Sequence, residues 1–296
     1  MLRKNKLDAQ AIGLGIVLCS ILGLQQIAIK EASIDMTPLF QMALRSGISA
    51  LCIGIYLTIS NIALIPTDKS ARSACLLAGF LFTLEYFFMA EGLRFTNASR
   101  IVVMVYTAPA FAALGLHIFV PSERLHARQW GGLLLAFAGI VIAFFDNNIS
   151  SEKISSILYG DILGLFSGIS WGATTVLIRM KLSDTPAIQT TFSQLIICFF
   201  ILFPLCLLSG KYSFDFSTTV IFSLSFQIIM VCILAMCLWF WMLTVYPASQ
   251  LGVLLFLTPI FGVLFGMILL DEQLTTQFIA GTICIILGII LVQYKS

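Results

Sequence analysis

The sequence has few charged residues: Asp, Glu, Lys and Arg make up 10% of its 296 positions, against about 25% in soluble globular domains. Hydrophobic residues make up 59%, and no polar stretch is long enough to form a soluble domain. A lipid bilayer must therefore cover most of the surface. The net charge of +2 is too small and too dispersed to indicate a nucleic-acid partner.

Motifs for nucleotide hydrolysis, metal binding and nucleophilic catalysis are also missing. The chain has no Walker loop, no H-x-x-x-H pair and no nucleophile elbow, so we expect a protein that is not an enzyme and uses no cofactor or metal. Its eight cysteines lie in apolar runs without C-x-x-C spacing, which favours packing roles over disulfides or metal sites. The basic N-terminus precedes an apolar run without an A-x-A cleavage site, and we interpret that run as a retained first span.

Ten apolar segments, separated by short polar turns, account for most of the chain. Each holds about 19 to 27 residues, enough to cross a hydrocarbon core of about 30 Å as a helix. Lipid offers backbone groups no hydrogen-bond partners, so helices are expected rather than strands. We predict an all-α membrane protein with ten transmembrane helices, near residues 9–29, 39–61, 73–93, 98–120, 128–146, 157–179, 187–208, 218–244, 248–270 and 275–293.

The second half of the chain repeats the first. Pro109 corresponds to Pro259 and Gly23 corresponds to Gly172, each within an apolar run. A period of about 150 residues marks a duplicated fold unit rather than a solenoid turn. We therefore predict two five-helix repeats, at residues 1–150 and 151–296.

Five spans per repeat is an odd number, so the second repeat enters the membrane upside down relative to the first. Such an inverted-topology repeat is typical of transporters whose substrate site lies near the membrane midplane between the halves. Lys and Arg residues set the orientation by the positive-inside rule. With a cytoplasmic N-terminus, ten of the 16 fall on the inside, which predicts both termini and the loop Leu125–Gln129 in the cytoplasm.

Two ordered sets of short motifs mark the repeat. The first set is Glu91-Gly-Leu-Arg-Phe-Thr-Asn-Ala-Ser-Arg100, Tyr106-Thr-Ala-Pro and Ser122-Glu-Arg-Leu125. The second set is Tyr246-Pro-Ala-Ser-Gln-Leu-Gly, Leu257-Thr-Pro and Asp271-Glu-Gln-Leu274. In these motifs and in its five plus five spans, the whole chain resembles the bacterial EamA-type branch of the drug/metabolite transporter superfamily.

The resemblance implies a carrier of the bacterial cytoplasmic (inner) membrane, often an exporter of amino acids, related metabolites or toxic organic compounds. We expect a secondary transporter that moves a small amphipathic metabolite or drug by alternating access, driven by the substrate gradient or by proton exchange. Its partners would be that small molecule, membrane lipid and, under exchange, a proton. A monomer is expected, with a homodimer as the alternative. An intramembrane receptor or enzyme without a recognisable catalytic motif is the alternative function, and substrate, direction and coupling stay open.

Arg45, Glu85 and Glu91 lie inside predicted spans, where charge is costly and usually faces a partner or a wet cavity. Arg45 lies about 10 Å and Glu85 about 14 Å from the outer end of their spans, while Glu91 is shallower. The second half has no matching acid, so the acids break the repeat symmetry. We predict that Arg45 contacts Glu85 or Glu91, and that Glu85 binds a proton or an amino group. A buried structural ion pair is the alternative.

Polar and aromatic residues within the spans predict a site for an amphipathic ligand. For each aromatic ring, the alternative is the membrane interface or a lipid-facing position, which suits Trp241 and Tyr246 best. Gln26, Thr174 and Gln227 are further candidates for the site. The predicted lining, besides the charged residues, is Gln25, Tyr86, Tyr106, Trp171, Thr175, Gln194 and Trp239.

Pro109 and Pro259 lie at equivalent depths in their spans and predict two helix kinks. Matched kinks in the two halves would serve as hinges for alternating access. The alternative is that these prolines are merely tolerated, as they often are in membrane helices.

Small residues form matching stripes on spans five and ten, at Gly132 and Gly139 and at Gly281 and Gly288. Such stripes let helix backbones approach closely. We predict that the two spans pack against each other within one chain, and a homodimer contact is the alternative.

Overall fold

The computed structural model describes residues 8–120, 125–144, 151–212, 215–235, 238–239, 242, 245, 254–255 and 257–293. Regular structure in these ranges is helical throughout. A π-helical segment, Phe226–Ala235, directly follows α9. The α-helices are α1 (Ala9–Glu31), α2 (Pro38–Ile59), α3 (Lys69–Gly92), α4 (Ala98–Val105), α5 (Ala108–Phe119), α6 (Ala127–Phe144), α7 (Ser151–Lys181), α8 (Ala187–Leu208), α9 (Thr218–Ser225), α10 (Leu257–Leu269) and α11 (Thr276–Gln293).

Seven helical stretches of the described chain are long and apolar enough to cross a bilayer. Three further apolar helices, within α6, α10 and α11, are shorter. The all-helical membrane architecture is thus confirmed, whereas the count of ten crossing helices stays a prediction. The predicted interface residues Trp241 and Tyr246 lie outside the described residues, as do both termini and most of the Ser122–Leu125 motif.

Polar side chains just before the apolar runs start several helices. Asp8 accepts a hydrogen bond from the Ala11 N–H at 2.8 Å, and Asp68 accepts one from the Ala71 N–H at 2.7 Å. Helix α7 begins at Ser151 instead of near residue 157. Hydropathy marks only the apolar part of a helix, and polar residues extend this one beyond it.

The two halves interlock instead of standing side by side. Helix α1 of the first half packs on α10 of the second, and α7 of the second packs on α4 and α5 of the first. A Cβ added at Gly23 would lie 2.9 Å from the Phe261 Cβ, and one added at Gly172 would lie 2.9 Å from the Phe111 Cβ. Phe111 and Phe261 occupy equivalent positions in the repeat, as do Gly23 and Gly172. The close crossing of α1 on α10 is therefore matched by an equivalent crossing of α7 on α5.

Helices α6 and α11 are in close contact through their small residues. A Cβ at Gly139 would lie 2.6 Å from the Gly281 carbonyl oxygen, and one at Gly288 would lie 2.5 Å from the Gly132 carbonyl oxygen. The residue numbers of the contacting positions decrease along α6 as they increase along α11, so the two helices run antiparallel. The predicted packing of the two stripes within one chain is confirmed.

Candidate functional site

A cavity of about 540 Å³ lies between the halves, within the usual size range of small-molecule sites. Its walls come from α1, α3 and α4 on one side, and from α7, α8 and the π-helical segment on the other. Most of the wall is apolar. The polar and aromatic residues that line it are Gln25, Gln26, Phe82, Glu85, Tyr86, Tyr106, Trp171, Thr174, Thr175, Ser183, Thr185, Thr190, Thr191, Gln194 and Trp239.

Most of the predicted binding residues meet in this one cavity. The exceptions are Arg45 and Glu91, which do not line it. The further candidate Gln227 also does not line the cavity; its Nε2 donates to Gln41 Oε1 at 3.0 Å and to Ser223 Oγ at 2.9 Å. The predicted residues that do line the cavity are Gln25, Glu85, Tyr86, Tyr106, Trp171, Thr175, Gln194 and Trp239.

Sequence reasoning missed the hydroxyl groups near the start of α8. Thr190 and Thr191 line the cavity about one turn before Gln194. The run Gln-Thr-Thr-Phe-Ser-Gln in an apolar segment was the available signal. These groups add hydrogen-bonding capacity to a wall that is otherwise largely hydrocarbon.

Aromatic pairs shape the cavity. The rings of Tyr106 and Trp171 meet edge to face, with centroids 5.2 Å apart and an interplanar angle of 90°. Phe82 and Tyr86 lie one turn apart on α3, with centroids 4.1 Å apart. Edge-to-face and tilted pairs are favoured by the ring quadrupoles, so these walls are held in place by contacts of their own.

Glu85 carries the one charged side chain among the described residues that line the cavity. It is 8% exposed. Its backbone carbonyl accepts a hydrogen bond from Ser167 Oγ at 2.9 Å, which ties α3 to α7 at this level. A carboxylate in such a setting is suited to bind a proton or a positively charged group.

Arg45 is completely buried next to the cavity wall. Its Cζ lies 4.4 Å from the centroid of the Tyr86 ring, a cation–π contact worth about 2 kcal/mol when desolvated. Across the described structure, none of its three guanidinium nitrogens donates a hydrogen bond of good geometry. Glu85 is close enough to interact electrostatically with Arg45 but makes no hydrogen bond with it. The predicted direct contact with Glu85 or Glu91 is therefore wrong at hydrogen-bond distance, and the contact that the guanidinium makes instead is with the Tyr86 ring.

Glu91 has other partners than the predicted Arg45. Its Oε2 lies 2.7 Å from Arg94 Nη1 and its Oε1 lies 3.1 Å from Lys211 Nζ. Lys211 belongs to the other half of the chain and follows the C-terminal end of α8. Glu91 lies near the C-terminal end of α3, so these two helix ends are close together. The carboxylate thus joins the halves at one end of the bundle.

Two more acids join the halves at this same end. Asp161 of α7 is fully buried and receives hydrogen bonds from Arg100 Nε, at 2.9 Å and 3.0 Å, and from Thr96 Oγ1 at 3.0 Å. Glu272 accepts from the Ala98 N–H at 2.7 Å and from Ser99 at the start of α4. We call the contacts made by Glu91, Asp161 and Glu272 the acidic clamp.

The cavity reaches the opposite end of the bundle. Leu182, Ser183 and Thr185, which line it, follow the C-terminal end of α7, whereas Asp161 lies near the start of that helix. The two levels are about 30 Å apart at 1.5 Å per residue. The acidic clamp therefore joins the two halves at one end of the helix bundle, and the cavity extends toward the other end.

The two prolines follow helix breaks beside the cavity. Helix α4 ends at Val105, and α5 starts one residue before Pro109. Helix α10 starts two residues before Pro259, after a turn at Leu255. Val105 and Leu255 correspond in the repeat and both line the cavity, whereas the prolines do not. Interrupted helices at a central site are a feature of many transporters.

Comparison with known proteins agrees with this architecture. The model of the EamA-like transporter family matches residues 9–145 and 158–294. The "uncharacterized transporter YoaV" of Bacillus subtilis is 25% identical over 279 residues, covering 93% of this chain and 94% of that protein. A "probable amino-acid metabolite efflux pump" of Salmonella typhimurium is 25% identical over 288 residues, covering 93% and 92%. A solved crystal structure shares the fold, with a TM-score of 0.63 and 16% identity over 96% of both chains.

Proposed function

Since the chain belongs to the EamA-like transporter family, we propose that it is a secondary transporter that exports an amino acid or a related amphipathic metabolite by alternating access. The observation that carries the proposal is the cavity between the halves. It combines aromatic walls, several hydroxyl and amide groups and a single charged residue, Glu85, in the described lining. Such a site suits a molecule with an apolar body and a positively charged group.

Alternating access is supported by the difference between the two ends of the bundle. The acidic clamp joins the halves at one end, and the cavity extends to the other. A carrier that opens to one side at a time requires such an asymmetry. The helix breaks before Pro109 and Pro259 are positioned to act as hinges, because both border the cavity.

An inverted-topology repeat, with units 1–150 and 151–296, is supported by the helix directions. Spans five and ten are equivalent in the repeat, and their helices α6 and α11 run antiparallel. The matched crossings at Gly23 and Gly172 point to the same two-fold relationship.

Export is supported by orientation and by the relatives. The distribution of Lys and Arg supports a cytoplasmic position for the cavity opening, which lies next to α7 residues Arg179 and Lys181. The protein would then lie in a bacterial inner membrane as a monomer, and its cavity would take up substrate from the cytoplasm. Relatives described as probable amino-acid metabolite efflux pumps support the substrate class.

Counterflow in proteoliposomes tests the proposal. The purified protein is reconstituted with each of the twenty standard amino acids inside, and uptake of the same radiolabelled amino acid is followed. A carrier gives transient accumulation that depends on the internal substrate, whereas a receptor or enzyme gives none. Absence of trans-stimulation for all twenty would overturn amino-acid transport.

A further inference from the structure

The guanidinium of Arg45 is the most unusual buried group in the described structure. It is 0% exposed, and its Nε, Nη1 and Nη2 all lack a hydrogen-bond partner. The other buried arginine among the described residues, Arg100, is by contrast paired with Asp161. A cation at this depth that makes no hydrogen bond is expensive for the fold, so its retention calls for a use outside the resting structure.

The location of Arg45 indicates that use. Its electrostatic neighbours include Tyr86 of α3 and Cys232 of the π-helical segment, and both line the cavity. Arg45 itself does not. One layer of side chains thus separates an unpaired cation from the space that holds the substrate. Glu85, next to Tyr86 in sequence, lines the cavity from the same helix.

We propose that Arg45 binds the carboxylate of the substrate and that the Tyr86 ring covers it when the site is empty. This inference rests on the proposed transport function and assigns the two ends of an amino acid. The ammonium group binds Glu85, the Tyr86 ring turns aside, and the carboxylate takes hydrogen bonds from the guanidinium. Arginine is well suited to this, because its planar fork matches a carboxylate with two parallel hydrogen bonds.

The arrangement selects for zwitterions. An amine without a carboxylate leaves Arg45 unpaired, and an acid without an ammonium group places its negative charge near Glu85 with nothing to neutralise that carboxylate. Only a molecule with both groups satisfies both residues. In the empty state the Tyr86 ring offsets part of the cost of the buried cation, through the 4.4 Å contact.

The test compares three classes of ligand on the full-length protein in nanodiscs. The probes are L-phenylalanine, L-leucine and L-threonine, each with its decarboxylated amine and its deaminated acid, and binding is measured by calorimetry. The wild type should bind at least one amino acid about 100-fold more tightly than its amine, as expected for a buried charge pair. Equal affinity of an amino acid and its amine would overturn the role of Arg45 while leaving transport intact. Binding of none of the probes, together with no counterflow, would overturn the proposed function as well.

Variants separate a binding role from a structural one. Arg45→Met should fold, should be at least as thermostable as the wild type, and should bind the amino acid and its amine with similar affinity. Gln41→Met is the matched control, because Gln41 is buried on the same helix, donates to the Ile29 and Met36 carbonyls and does not line the cavity. It should lose stability and keep the preference for the amino acid. If Arg45→Met keeps that preference, Arg45 does not bind the carboxylate. If Arg45→Met fails to fold, Arg45→Lys decides: a lowered preference supports the role, and an unchanged preference rejects it.

Discussion

Asp161 and Arg100 form a buried ion pair across the boundary between the two halves. Both Asp161 oxygens accept from Arg100 Nε, at 3.0 Å and 2.9 Å, and Arg100 Nη2 adds a further hydrogen bond. The aspartate belongs to α7 and the arginine to α4, so the pair joins the two halves at the end of the bundle away from the cavity opening. Its role in the transport cycle depends on how much stability it contributes.

Asp161→Asn should destabilise the protein by about 3 kcal/mol, because the substitution leaves the Arg100 charge buried without its counter-charge. The double variant Asp161→Asn with Arg100→Gln should recover most of the loss, since both charges are then gone. Thermal unfolding of purified protein measures both effects. Equal stability of Asp161→Asn and the wild type would show that the pair contributes nothing to closure of this end.

Lys211→Glu should weaken the clamp without unfolding the protein. Lys211 is 37% exposed at its side chain, and such pairs are typically worth no more than about 1 kcal/mol. The expected result is a few-fold faster labelling of a cysteine at Gln194 by an external, membrane-impermeant maleimide, in a background without other cysteines. The exchanged pair Lys211→Glu with Glu91→Lys should return the rate only in part, because Arg94 pairs with Glu91 and would repel a lysine there. An unchanged rate in the single variant would exclude Lys211 from gating.

Gly281→Ala should destabilise the contact between α6 and α11 by about 1 to 3 kcal/mol, the usual cost of overpacking. The added Cβ would lie 2.6 Å from the Ala143 nitrogen and from the Gly139 carbonyl oxygen, so backbone must move. Gly131→Ala is the control, because a Cβ there meets nothing within 4 Å. Comparable melting temperatures for the two variants would contradict the close helix packing.

Orientation has its own test, because helix packing leaves the sidedness of the membrane open. A cysteine at Ser151 should react with an impermeant maleimide from outside, and one at Gln129 only after the membrane is made permeable. The expectation follows from the excess of Lys and Arg on the side of the membrane that carries Gln129, which the positive-inside rule assigns to the cytoplasm. The reverse pattern would place the cavity opening outside and favour uptake over export.

Much of this architecture was readable from sequence. Apolar length predicts the helices, and the spacing of Pro109 and Pro259 predicts the repeat. Amides and aromatic rings in apolar runs predict most of the cavity, because lipid-facing positions rarely tolerate amides. The glycine stripes at Gly139 and Gly281 predict a helix pair, since small residues have few other uses at that spacing.

The partners of the polar residues were not readable. Glu91 meets Lys211, and Gln41 meets Gln227, in helices far apart in sequence. In spans that are apolar all round, hydropathy has little periodicity to fix the rotation of a helix. Which side chains face each other is then decided by packing between distant helices. The predicted partner of Arg45 was wrong for the same reason. The depth of Arg45 in its span indicates that it has a partner, but only the structure shows that this partner is the Tyr86 ring.

The central claim, a carrier whose site includes Glu85, is tested most directly by counterflow with Glu85→Gln. The substitution keeps the shape of the side chain and removes its charge from the cavity. We predict that the variant inserts and folds like the wild type, with counterflow at least about 10-fold slower, the loss expected for one charged hydrogen bond. If Glu85 carries a proton, the remaining transport should also lose its pH dependence. Wild-type rates from well-folded Glu85→Gln protein at every pH tested would contradict the account.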